Sequence, residues 1–349
     1  MEDILRADTI LGVDLGWVSQ LESIGYRWID DTDNNIDPII AAKNLGANTV
    51  RLRVFVNPPD YGFWIKPDKE MKGHKIEGGL VMLGFCDKDS VVEMSKRVKS
   101  VGMKLMIDFH YSDHFADPAF QDMPKAWEHL DYTSLKEKLS EHTKTVLLAL
   151  KENGIMPEYV QVGNEINNGI LNPIGDFHEH PEEMVGLLNS GYDAVKEVFP
   201  ESIVVAHVSA GQILEYVKGF FDVYFQYGGK TDMIGLSYYP AWFQERHKPD
   251  EFLHVLNEIY HLYGKNIILS EIGGKDTEEE ETYCLLRDTL QLIDKVDEKA
   301  LKGIIYWEPE ANRHILPDRY PLGAANLVGK KKLQYTKALS AYKNYWEDN

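Results

Sequence analysis

Eight short runs of apolar, largely β-branched residues recur along the chain, separated by helix-length stretches of mixed polarity. They are Ile10–Leu15, Asn48–Phe55, Met103–His110, Tyr159–Glu165, Ile203–Val208, Met233–Tyr239, Asn266–Glu271 and Lys302–Glu308. Stretches such as Ile203-Val-Val-Ala206 and Asn266-Ile-Ile-Leu269 are nearly continuous in their apolarity. That pattern suits strands buried on both faces of a parallel sheet. Between them, Asp89–Val101 sets Val91, Val92, Met94, Val98 and Val101 largely on one side and stops at Gly102. A longer helix is expected over Ser134–Asn153, with Leu135, Leu139, Val146, Leu147 and Leu150 as its apolar face. Pro181–Phe199, Pro249–Tyr263 and Thr277–Val296 fill three later crossovers. The acidic run Glu278–Glu281 suits a solvated first helical turn, where negative charge faces the positive end of the dipole.

Eight strand–helix repeats predict an α/β fold, a closed (β/α)8 TIM barrel. The competing arrangement is an open doubly wound sheet. Its dinucleotide-binding form is weakened because no glycine-rich phosphate loop follows the first run. No Pro/Ser-rich linker divides the sequence, so residues 1–349 read as one catalytic domain. One connection stands out. Asn57–Asp87, after the second run, is longer than an ordinary strand-to-helix link and carries Tyr61, Phe63, Trp64 and His74. In a barrel it lies on the face that carries the active site, where it would form a wall.

Composition narrows the partners. The chain of 349 residues is 44% hydrophobic and carries a formal charge of −19. An acidic surface of that size argues against nucleic acid and anionic membranes, and is neutral about a sugar. No stretch approaches a membrane span, and Met1-Glu-Asp-Ile-Leu-Arg6 does not read as a secretory leader. The expected location is cytoplasmic, or secreted if a native leader precedes this sequence. The two cysteines, Cys86 and Cys284, are not expected to form a disulfide.

Barrel enzymes place their chemistry at the C-terminal ends of the strands. Gln161-Val-Gly-Asn-Glu165 closes the fourth run and Ile268-Leu-Ser-Glu271 the seventh. A lone strand-end glutamate is more often a cap or an ion-pair partner. Two on nearly opposite strands suit glycoside hydrolysis, which needs a proton donor for the leaving oxygen and a second carboxylate at the anomeric carbon. Arg51 and Arg53 alternate along the second strand and share a face, so one of them can reach the nucleophile and hold it ionised. Asp108, His110, Tyr111 and Asp113 fall at or just after the third strand, Tyr238 and Tyr239 end the sixth, and Trp307 ends the eighth. Trp307, Trp17 and Trp242 are candidate platforms for sugar faces, although a single tryptophan is more often core.

Other chemistries fit less well. Asp108, His110, Asp113, His114 and Asp117 form one dense cluster, and His178 with His180 another. Clusters within one loop are more often hydrogen-bonding networks than metal sites, and the first strand lacks a His-x-His pair. No metal and no cofactor are expected. There is no Gly-x-Ser-x-Gly elbow, and neither cysteine ends a strand.

These residues resemble glycoside hydrolase family 53, the endo-β-1,4-galactanases, from about Gly12 to Trp307. The resemblance is carried by Gly12-Val-Asp-Leu-Gly-Trp-Val-Ser-Gln-Leu-Glu22, Asn48-Thr-Val-Arg-Leu-Arg-Val54, Asp108-Phe-His-Tyr-Ser-Asp113 and Ala116-Asp-Pro118. It continues in Pro124-Lys-Ala-Trp127, Gln161-Val-Gly-Asn-Glu-Ile-Asn-Asn-Gly169, Gly235-Leu-Ser-Tyr-Tyr-Pro240 and Tyr306-Trp-Glu-Pro309. It implies a retaining reaction on β-1,4-galactan or galacto-oligosaccharides, with Glu165 as acid/base and Glu271 as nucleophile. By the same resemblance Asn164 holds the sugar 2-hydroxyl, and Arg53 and Tyr238 position and ionise Glu271. Asp108, His110 and Trp307, with Asp113 beside them, shape the subsite around the scissile bond.

The sequence also departs from the family. Glu271-Ile-Gly-Gly-Lys275 replaces the usual Glu-Thr-Ala-Tyr-Pro, and Phe55 and Phe115 stand at common tryptophan positions. No acidic array follows the seventh strand, so the calcium site of some members is not expected. The ending after Trp307 differs, and the Asn57–Asp87 loop is enlarged. Two alternatives therefore stay open: a related barrel acting on another β-glycan, as a β-glucanase, mannanase or β-galactosidase, and an inactive carbohydrate-binding barrel. The enlarged loop is expected to narrow the cleft toward short oligosaccharides or terminal release.

Overall fold

A computed structural model describes residues 9–71, 73–243 and 247–348. The eight apolar runs become the strands β1 (Ile10–Asp14), β2 (Thr49–Val54), β3 (Lys104–Phe109), β4 (Tyr159–Val162), β5 (Ile203–Val208), β6 (Met233–Tyr238), β7 (Asn266–Ile272) and β8 (Leu301–Tyr306). They pair in parallel and in chain order, and β1 closes the barrel against both β2 and β8. The crossovers are α1 (Pro38–Asn44), α2 (Lys88–Ser100), α3 (Tyr132–Glu152), α4 (Pro181–Val198), α5 (Leu214–Gln226), α6 (Pro249–Tyr263) and α7 (Glu279–Leu290), with α8 (Ser340–Asp348) last. Three of them start on an aspartate whose carboxylate accepts first-turn backbone N–H groups: Asp37, Asp87 and Asp131. Each such cap satisfies donors that the helix itself leaves orphaned. The acidic Glu279, Glu280 and Glu281 occupy the first turn of α7, as expected.

Strand alternation sorts the side chains into two sets. One packs outward against the helices as the main core. The other fills the lumen, where Ile10, Met106, Tyr159, Val205, Met233, Ile268 and Ile305 form a separate apolar cluster. One step of two along the strands, the row turns polar: Asp108 follows Met106, Gln161 follows Tyr159, and His207 follows Val205. These three are buried, as are Asp14, Arg51, Arg53, Ser237 and Glu271. In β7 the alternation is broken. Leu236 pairs with Leu269 but Ser237 pairs with Glu271, and this register shift brings Glu271 beside β6 at the lumen mouth.

The fourth strand is shorter than the sequence pattern suggests. It ends at Val162, and Glu165 stands beyond it with φ 46° and ψ 52°. Gly163 starts that turn at φ 84°, and a Cβ there would lie 2.6 Å from the Ile166 side chain.

The enlarged connection is a structured hairpin rather than an irregular loop. Phe63–Lys66 pairs with Gly79–Met82, and Lys69–Met71 pairs with His74–Ile76. Its root is tied to the barrel by Trp17 Nε1 donating to Met82 O at 2.8 Å and by Gln20 Nε2 donating to Gly62 O at 3.0 Å. Its flank rests on the β3 connection, where Trp64 stacks on His114 at 3.9 Å.

A four-stranded sheet joins the two ends of the chain, with order Ala325–Val328, Lys332–Tyr335, Arg27–Ile29, Asn35–Ile36. Nearby, Tyr342 Oη donates to Gly12 O at 2.8 Å and Trp346 Nε1 donates to Gly46 O at 2.7 Å. Cys86 and Cys284 are both free. Among the described residues, no helix is long and apolar enough to cross a membrane.

Candidate active site

A cavity of about 620 Å³ opens at the C-terminal mouth of the barrel. Glu165, Glu271, Asn164, His110 and Trp307 line it together. Trp17, Phe115, Tyr239 and Trp242 add aromatic surface, while Trp64, Lys66 and residues 77–81 of the hairpin form one wall and residues 317–320 another. All three tryptophans proposed as platforms therefore reach the same space. Trp307 packs edge-on against Trp17 at 5.3 Å and Tyr320 at 4.7 Å, which fixes the orientation of its ring.

The two carboxylates live in unequal surroundings. Glu271 is 6% exposed and accepts from Arg51 Nη2 at 2.7 Å and from Tyr239 Oη at 3.0 Å. Arg51 is itself held by Asp14 at 2.8 Å and by Gln161 Oε1 at 3.0 Å, with Asp108 at 3.8 Å. Among the described residues Glu165 has no such cation in contact, and its side chain meets the Ser237 hydroxyl at 2.7 Å. Burial, and then the negative charge of Glu271, hold Glu165 well above the usual carboxylate range. Burial also raises Glu271, but there the Arg51 guanidinium opposes it most strongly. When one proton is shared between the two, it rests on Glu165 and the charge rests on Glu271.

Several residues assigned from the sequence do something else. Arg53 does not reach Glu271. Its guanidinium pairs with Glu308, donates to Leu83 O at 2.7 Å, and lies 4.7 Å from the Phe115 ring and 5.3 Å from the Trp17 ring. The arginine two residues earlier sits deeper in the lumen and makes the contact with Glu271 that was expected of Arg53. Tyr238 faces away from the cavity: its ring stacks on Phe252 at 3.9 Å and its hydroxyl meets His247 Nδ1 at 2.6 Å. Tyr239 is the tyrosine on Glu271.

Asp113 does not line the cavity; its carboxylate accepts from Asn57 N and Lys125 N and ties two connections together. Asp108 lies below the cavity floor, fully buried, 3.0 Å from His110 Nε2 and 2.5 Å from Gln161 Nε2. It acts on the site through those neighbours, through the Arg51 guanidinium, and through its own negative charge, which raises Glu271. Phe55 is buried behind His110 and Phe115, so its difference from tryptophan does not alter the cavity lining, whereas that of Phe115 does. Among the described residues, no group of three or more His, Cys, Asp or Glu is arranged to hold a metal ion.

Sequence reasoning passed over Gln161, His207, Ser237, Glu308 and Tyr320. His207 had a signal: a histidine at a lumen position within the apolar run Val204-Val-Ala-His-Val208 needs polar partners. Glu308 carried one only in hindsight of its neighbours, accepting from Gly16 N at 3.0 Å and Trp17 N at 3.2 Å. Tyr320 lies in a segment with no motif.

Residues 10–344 match the model of glycosyl hydrolase family 53. The chain belongs to that family. A Niallia circulans protein described only as lying in the bgaB 5′ region is 32% identical over 330 residues, covering 86% of this chain and 83% of its own length. The arabinogalactan endo-β-1,4-galactanase of Cellvibrio japonicus is 30% identical, covering 86% of this chain and 80% of its own. Among solved structures, the family 53 catalytic domain of Ignisphaera aggregans superposes with a TM-score of 0.82 at 26% identity, over 96% of both chains. The family 53 barrel is thus matched in both sequence and backbone, and the chain is a glycoside hydrolase by family.

Proposed function

We propose that this family 53 chain hydrolyses β-1,4-galactosidic bonds in galactan or galacto-oligosaccharides with retention of configuration. The observation that carries the reading is the unequal pair at the cavity floor, a Glu165 whose carboxyl is raised by burial and by the charge of Glu271, facing an Arg51-bound Glu271. The galactanase relative of Cellvibrio japonicus supports the substrate.

In the first step Glu271 attacks the anomeric carbon while Glu165 gives its proton to the departing sugar oxygen, leaving a glycosyl-enzyme ester. In the second step Glu165, now ionised, takes a proton from water, which displaces Glu271. Arg51 and Tyr239 hold the nucleophile ionised and oriented. Asn164, whose Nδ2 also donates to Ala116 O at 2.9 Å, is the residue proposed for the 2-hydroxyl, a contact that strengthens in the transition state. Trp307 and His110 border the reacting sugar. Trp64 and Lys66 on the hairpin wall restrict the cleft, which favours short oligosaccharides or terminal release over random internal cleavage.

Product analysis of linear β-1,4-galactan and galacto-oligosaccharides, beside Glu165→Gln, tests the reading. Galactose or short galactans from the wild type alone are expected. Turnover of β-glucan or mannan with none on galactan would move the substrate elsewhere, and random internal cuts in long galactan would remove the role given to the hairpin.

A further inference from the structure

A chain of hydrogen bonds runs behind the cavity from Asn164 to Glu165 through two residues that touch no substrate-facing surface. His207 Nδ1 lies 2.9 Å from Asn164 Oδ1, His207 Nε2 lies 2.8 Å from Ser237 Oγ, and Ser237 Oγ lies 2.7 Å from Glu165 Oε1. His207 is fully buried and Ser237 nearly so. The direction of this chain can be worked out from its far end.

Arg51 Nη1 donates to Gln161 Oε1 at 3.0 Å, so the Gln161 amide nitrogen faces Asp108 and Asn164 and donates to both. Asn164 Nδ2 donates to Ala116 O at 2.9 Å, which leaves Asn164 Oδ1 as an acceptor. His207 must therefore carry a proton on Nδ1. The alternative tautomer would let Nδ1 accept from Glu165 N, but that approach is 3.4 Å and would set two lone pairs together at 2.9 Å against Asn164. Burial first, and then the charge of Arg51, keep the imidazole neutral, against the opposing pull of Asp108. A neutral ring with Nδ1–H has a bare Nε2, and among the described residues the hydrogen that reaches it is that of the Ser237 hydroxyl. Ser237 Oγ is then an acceptor toward Glu165.

A hydroxyl beside a carboxylate ordinarily donates and holds it ionised. Here the hydroxyl proton is already committed to His207. We propose that Ser237 and His207 are positioning residues that keep the acid proton on Glu165 between turnovers, their hydrogen-bond chain being directed from Asn164. When Glu165 gives that proton to the leaving sugar, Ser237 can satisfy the new carboxylate only by turning away from His207, which leaves Nε2 bare. The acid is thereby primed to recover a proton from water in the second step. The same chain fixes Asn164, so acid and 2-hydroxyl contact are set by one framework. The other charges facing Glu165 are Glu271 and Asp117, with Arg51 further off; those facing His207 are Arg51, Asp108 and His110.

The inference rests on reading Glu165 as the acid/base, and its test is readable without turnover. The infrared carboxyl band of Glu165, assigned by its loss in Glu165→Gln, is titrated in wild type and in Ser237→Ala. The proton is expected to leave about one pH unit lower in Ser237→Ala, because the neutral form loses its acceptor. The alkaline limb of kcat/KM on galacto-oligosaccharide should move down by the same amount. An unchanged or higher value means that Ser237 is an ordinary donor or a spectator and overturns the proposal. In the wild type, nitrogen-15 spectra of His207 should show a neutral Nδ1–H ring from about pH 5 to 8, and an Nε2–H or charged ring overturns it regardless of how the variant folds. If no glycan is turned over yet both spectra are as expected, the substrate reading fails and the relay stands.

Discussion

The lower and upper halves of the barrel lumen are built from the same alternate positions of the same strands, yet they differ in kind. Below lie Ile10, Met106, Tyr159, Val205, Met233, Ile268 and Ile305 in mutual apolar contact. One residue pair higher lie Asp108, Gln161 and His207, with the Arg51 guanidinium entering among them from β2, equally shut away from water but joined by charges and directed hydrogen bonds. The lower layer gains stability from excluded water and close packing. The upper layer gathers Asp14, Asp108 and Glu271 around one guanidinium, at a desolvation cost the lower layer supports. What the contrast teaches is that position along the strand, more than burial, separates structure from chemistry in this barrel.

Substitutions can break that contrast at graded strength. The largest effect is expected for Glu271→Gln, with turnover of galacto-oligosaccharide falling by about four orders of magnitude or more while the thermal midpoint stays near that of wild type. Retained activity would remove Glu271 from the mechanism. Arg51→Met should come next, lowering stability in urea by about 3–5 kcal/mol, because it strands Asp14, Asp108 and Glu271 without their cation. An unfolding midpoint at the wild-type position would show that the upper layer is not held by this ion pair.

Tyr239→Phe removes one hydrogen bond from Glu271, so kcat/KM should fall roughly tenfold, as for a hydrogen bond to a charged group. Tyr238→Phe should leave kcat/KM within about twofold, since its hydroxyl meets His247 rather than Glu271. Equal losses in the two variants would contradict the placement of the tyrosines. The smallest effect is expected in the lower layer, where Ile268→Val should cost about 0.5–1.5 kcal/mol by denaturant unfolding with turnover unchanged. A drop in turnover there would show that the two layers are coupled.

The same contrast explains what could be read in advance. Buried parallel strands are apolar on both sides, so all eight were visible as runs in the sequence, and the glutamates stood out at their ends. Alternation also put Arg51 and Arg53 on one face. It could not say which of the two sits level with Glu271, because height in the lumen depends on strand stagger. It also failed at the sixth and seventh strands, where the register shift beside Ser237 and the strand end send Tyr239, rather than Tyr238, to Glu271. The hairpin after β2 escaped notice as strand because its segments are short, mixed in polarity and partly exposed. His207 and Ser237 were hidden differently. Their partners are far apart in sequence, and no local pattern announces a bond between β5 and β6.

The tail of the chain carries a consequence for biosynthesis. The bond from Tyr342 to Gly12 spans 330 residues and that from Trp346 to Gly46 spans 300. A ribosome needs on the order of tens of seconds to cover such a distance. Through that interval the nascent β1 lacks its β8 neighbour and presents an open edge of the kind that invites pairing between chains. Closing so long a loop adds little entropy beyond that of a moderate one, so the delay is set by translation rather than by thermodynamics. The final helix thus latches the barrel, and cells that slow translation or lack holding chaperones should accumulate this protein as aggregate rather than as a partly active form.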